Sequence, residues 1–156
     1  MTARKDPRHV ARESALQILY QWEIGRRDVD RAADTFFGQQ WPAVEAPTED
    51  VRAFASLLAH DTVQRLETID PLIAGTTERW RPERMAVLDR LILRMAVCEL
   101  LRDRQTPPAV VINEALELAR TFSTEESVGF INGMLDAIRK KLDTGATTED
   151  AEDAEG

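Results

Sequence analysis

Apolar positions recur at helical spacing along almost the whole chain, and no segment alternates as a strand would. Ala11, Ala15, Ile18, Leu19 and Trp22 form one stripe. It is opened by Asp6-Pro7, an N-cap acid with proline at the first helical position, and it closes near Gly25. A short second helix is predicted from Val29 to Gln39, and Trp41 to Pro47 reads as a loop. Thr48 is placed to cap a third helix carrying Val51, Phe54 and Leu58, then Val63 and Leu66. Asp70-Pro71 repeats the acid-proline start signal, so a break is expected there with a short fourth helix after it.

Glu83 to Arg102 is the most hydrophobic segment, and its apolar residues wrap most of the circumference, as in a central helix. Thr106-Pro107-Pro108 separates it from a helix running to about Phe122. Ser123 followed by Glu126 has the spacing of a capping box, and a last helix is predicted to about Leu142. These segments predict an all-α protein of six or seven helices in two layers. The helical domain is expected over residues 1–142, with 143–156 an acidic, low-complexity, disordered tail.

Charge changes this picture in one respect. The net charge of −8 argues against nucleic acid, but six of those eight negative charges lie between Asp143 and Gly156, which holds no Lys or Arg. The other end is basic, with Arg4, Lys5, Arg8 and Arg12 against Asp6 alone before Glu13. A local basic site is compatible with the global sign. Cys98 is the single cysteine, so no intramolecular disulfide forms, and no apolar run approaches the roughly 18 residues that span a bilayer. A cytoplasmic chain is expected, without membrane, cofactor or metal.

Catalytic constellations are absent from the sequence. His9 and His60 have no partners at metal-ligand spacing, and Gly129-x-x-x-Gly133 lies within a helix rather than after a strand. Cys98, inside the most apolar helix, reads as a packed thiol. Glu99 falls within an apolar stripe, where a carboxylate needs a partner, and a structural ion pair and a functional role both fit. Arg8 and Arg12, four residues apart, share a helix face near an N-terminus, a setting suited to RNA phosphate or to plain solvation. Phe130 lies about 110° from the centre of the stripe formed by Val128, Ile131, Leu135, Ile138 and Leu142. With Gly129 and Gly133 beside it, the ring suits a stacked base or close packing against another helix.

Three blocks of sequence carry a resemblance. Ala11-Arg12-Glu13-Ser14-Ala15-Leu16-Gln17-Ile18-Leu19-Tyr20-Gln21-Trp22-Glu23, Leu88 to Ala96 with Glu99-Leu100, and Val111 to Arg120 with Phe130-Ile131-Asn132-Gly133-Met134-Leu135-Asp136 resemble the NusB transcription antitermination family in order and spacing. The resemblance runs from about residue 8 to residue 140. It implies two small helical bundles and no catalysis. It also implies binding to the boxA element of nascent ribosomal RNA together with NusE, a small-subunit ribosomal protein, in a complex with NusA, NusG and RNA polymerase. A homodimer of the free chain stays open.

Carried over by position, the resemblance implies RNA contacts at Arg4, Lys5, Arg8, His9, Arg12 and Phe130, and an affinity-tuning acid at Glu126 in the preceding loop. It places NusE contacts at Tyr20 and Asp89. Asp6 and Pro7 interrupt the basic cluster, and Val10 stands where relatives are often basic. Two alternatives remain: a helical scaffold that binds only protein, and the RNA-binding module of ribosomal RNA methyltransferases without its catalytic domain. The second lacks support, since no cofactor glycine motif or catalytic cysteine pair occurs. Four phosphates neutralised by Arg4, Lys5, Arg8 and Arg12 would make log affinity for single-stranded RNA fall with log salt at a slope of about −3, a value read from a salt titration.

Overall fold

The first three helices are capped at their starts by side chains the sequence supplies. Asp6 accepts from the Arg8 amide at 2.9 Å, Asp28 from the Arg31 amide at 3.2 Å, and Thr48 from the Val51 amide at 3.3 Å. They open α1 (Pro7–Ile24), α2 (Val29–Gly38) and α3 (Glu49–Gln64). The computed structural model describes residues 6–76, 81–102 and 106–155, with side chains up to 144 except at 82. Among these residues the remaining elements are α4 (Leu66–Ala74), a 3-10 turn at Pro82–Arg84, α5 (Val87–Leu101), α6 (Pro108–Phe122) and α7 (Glu125–Glu155), with no strand.

Four boundaries differ from the sequence pattern. The break expected at Asp70-Pro71 falls instead at Arg65, and Pro71 lies inside α4. Asp70 cannot cap a helix because both its oxygens accept from Arg94, at 2.9 Å each. Buried Ile69 and Ile73 hold the short helix despite the hydrogen bond that proline forgoes. The central helix begins at Val87 rather than Glu83, after the 3-10 turn. The capping box at Ser123 and Glu126 does not form. Thr124 caps α7 by accepting from the Ser127 amide at 3.1 Å, because the Ser123 hydroxyl is committed to Asp89. Finally, α7 continues past Leu142 to Glu155. No proline interrupts that stretch, and among the described side chains Leu142 is the last that packs against the core.

The helices pack in two groups that share α5. In the first, α1, α2 and α3 touch one another; in the second, α4, α6 and α7 surround α5, which also meets α1 and α3. Leu91, Ile92, Leu93, Val97 and Cys98 on α5 have no solvent exposure, as the all-round apolar pattern requires. No helix among the described residues is long and apolar enough to cross a membrane.

Burial pushes the Cys98 thiol up, against the smaller opposing pull of the Thr62 hydroxyl and Arg102. A thiol-reactive reagent is therefore expected to leave native Cys98 unlabelled at neutral pH and to label it fully in urea. Labelling at the same rate in both states would contradict its burial.

Candidate nucleic-acid interface

Arg12 and Glu99 set the position of α1. The Arg12 Nε donates to Glu99 Oε2 at 2.9 Å, and Nη2 donates to Oε1 at 2.8 Å, a bidentate pair between α1 and α5. Arg12 is 3% exposed and Glu99 8%. Desolvation alone would lower the guanidinium pKa, but the hydrogen bond and charge of Glu99, with help from Glu114 and Asp6, leave it raised. A raised basic pKa stabilises the fold fully below the unfolded value and is lost only as pH rises through the folded one. The pair therefore holds across the neutral range.

Arg12, which the resemblance places among the RNA contacts, is thus buried and ion-paired inside the protein. Arg8, one turn earlier, is exposed, and its guanidinium carbon lies 4.2 Å from the centre of the Phe54 ring. His9 is partly buried. Its Nδ1 is 2.8 Å from Glu114 Oε2 on α6, and its Nε2 is 2.8 Å from Glu13 Oε1. Those contacts commit His9 to joining α1 with α6. Arg4 and Lys5 lie outside the described residues.

The C-terminal hairpin presents a second surface. Phe130 on α7 is half-buried and packs against the core. A Cβ built at Gly129 or Gly133 would meet nothing within 4 Å, so open ground flanks the ring. Glu126 is exposed in the first turn of α7, not in the loop before it, and falls on the same face as Gly129 and Phe130 by helical spacing.

A third surface centres on Tyr20, which is 39% exposed. A groove of about 130 Å³ beside it is lined by Leu16, Gln17, Gln21, Leu88 and Phe122. Asp89 does not reach solvent there. It is buried, and its carboxylate accepts from the Ser123 hydroxyl at 2.5 Å and the Ser127 hydroxyl at 2.6 Å. Phe54, Ser123 and Ser127 were not singled out as site residues from sequence; their partners come from helices far away along the chain.

The chain matches the model of the NusB family over residues 9–140. It is 46% identical over 143 residues to the transcription antitermination protein NusB of Koribacter versatilis, covering 92% of this chain and 95% of the relative. Among solved structures, NusB of T. maritima superposes with a TM-score of 0.77 at 33% identity, covering 88% of this chain and 93% of that one. The structure of the antitermination factors NusB and NusE in complex with double-stranded RNA shares the fold, with a TM-score of 0.75 at 24% identity over 86% of this chain and 97% of that one.

Removing one partner of a buried ion pair leaves the other unpaired. Glu99→Ala and Arg12→Ala are each expected to destabilise the fold by about 3–5 kcal/mol, while Arg12→Met/Glu99→Leu recovers most of that loss. Urea unfolding of the four proteins measures it. Wild-type stability in either single variant would show that the pair contributes nothing.

Proposed function

Since the chain belongs to the NusB family, we propose that it is a transcription antitermination factor, a non-catalytic cytoplasmic protein that binds boxA RNA together with NusE. In this reading it helps to assemble the antitermination complex with NusA, NusG and RNA polymerase. The observation that carries the RNA assignment is the Phe130 ring beside open ground at Gly129 and Gly133. An aromatic with a bare flank offers a stacking platform to an unpaired base. Arg8, with Arg4 and Lys5 upstream, supplies phosphate contacts; Arg12 and His9 hold α1 in place.

Glu126 adds negative charge one turn from Phe130, which opposes phosphate and tunes affinity downward. NusE is assigned to the groove beside Tyr20, whose wall at Leu88 and Phe122 is adjacent in sequence to Asp89 and Ser123, the two residues that brace the turn. Residues 1–142 form the RNA-binding domain in this proposal, and 143–156 form an acidic extension outside it.

Fluorescence anisotropy of a labelled boxA RNA, with and without NusE and beside a scrambled RNA, tests the proposal. Preference for boxA that NusE strengthens is the expected result; equal weak binding of both RNAs would reduce the protein to a protein-binding scaffold. With Arg12 withdrawn, three cations remain and the salt slope should be about −2 rather than about −3. Phe130→Ala should cost on the order of 1–3 kcal/mol of RNA affinity with the fold intact by circular dichroism. Glu126→Gln should strengthen binding, and Tyr20→Ala should remove the NusE enhancement while leaving RNA affinity alone.

A further inference from the structure

We propose that the groove between α1 and α3, beside Arg8, is a nucleobase subsite, in which one splayed base of the bound RNA stacks on Phe54. The proposal rests on the RNA-binding reading above and adds a second stacking position, distinct from Phe130. The groove is about 500 Å³, and Arg8, Asp50, Ala53, Phe54 and Leu57 line it. That size is within the roughly 300–1,000 Å³ of pockets that hold small molecules.

Two guanidinium groups flank Phe54, and they differ in freedom. Arg12 stands 5.3 Å from the ring centre and is locked by Glu99. Arg8 stands 4.2 Å from it, is exposed, and its guanidinium forms no ion pair among the described residues. An exposed cation–π contact is weak, so Arg8 can lift from the ring, give its place to a base and bind the adjoining phosphate. Asp50 keeps phosphate out of the groove itself, while its oxygens can accept from the N–H groups of a base.

Charge and exposure also select the occupant. Arg4 and Lys5 precede Arg8 in the chain, so the RNA backbone is drawn to this end of α1. A docked protein helix would need several apolar anchors at helical spacing. Of the large apolar side chains that are exposed among the described residues, Leu57, at 49%, is the one that lines this groove.

The test uses the full chain and labelled boxA RNA. Ala53→Trp fills the groove from an exposed position, and Phe54→Leu removes the ring while keeping an apolar side chain against the core. Each variant is expected to weaken RNA binding on the order of tenfold, with the salt slope unchanged because no phosphate contact is lost. Unchanged circular dichroism and urea midpoint establish that the fold is intact. If either variant fails to fold, the methyl resonances of Leu57 in the wild-type protein decide the matter: they should shift on adding boxA RNA. Wild-type affinity in both folded variants, or unmoved Leu57 methyls, overturns the subsite and leaves the antitermination reading standing. Loss of NusE binding with RNA affinity unchanged overturns it in favour of a protein-docking groove. No preference of the wild-type protein for boxA over scrambled RNA removes the RNA reading itself, and the subsite with it.

Discussion

The bidentate pair between Arg12 and Glu99 is the contact on which the functional surfaces depend. Two charges taken out of water are costly unless each is fully matched, and here the guanidinium fork meets both carboxylate oxygens. Such a match has one geometry. It therefore sets how α1 is rotated about its own axis, which decides that Arg8 faces Phe54, that His9 reaches Glu114, and that Tyr20 stands at the edge of a groove. An apolar contact at the same place would tolerate several rotations.

The other buried charges of α5 act in the same way toward different neighbours. Arg90 donates to Glu23 at 2.7 Å at the far end of α1, and Arg94 holds Asp70 on α4. Asp89 gathers the hydroxyls of Ser123 and Ser127 at the start of α7. The most hydrophobic helix is thus also the one that carries the directional contacts. Leu91, Ile92, Leu93 and Val97 supply the burial around it, and the charged residues choose which helix lies where.

This arrangement makes an acidic protein suited to RNA. Much of its charge is cancelled internally, and in solution at physiological salt the remainder is screened beyond roughly 8 Å. In the proposed reading, what an RNA strand meets locally is Arg8, the cations before it in the sequence, and the aromatic rings of Phe54 and Phe130. Recognition then leans on stacking more than on charge count, which is why the expected salt dependence is shallower than the basic residues alone suggest.

Helical periodicity, the Asp6-Pro7 and Thr48 caps, the all-round apolar pattern of α5 and the single buried thiol were legible in the sequence, because each is a local property of a few neighbouring residues. Angular position on one helix places Phe130 away from the centre of the apolar stripe, but spacing alone does not show that it is half-buried against the core. The pairing of Arg12 with Glu99, 87 residues apart, was not legible either. Spacing shows that Arg8 and Arg12 share a face but not that the face ends halfway at a buried carboxylate. Nor does a helix start signal reveal that Asp70 or Ser123 has a stronger partner elsewhere. The sequence by itself determined which segments are helices and which side chains need partners. Only the packing of α1, α3, α5 and α6 decided which charges are spent inside and which remain for a ligand, because that choice depends on distances between residues remote in the chain.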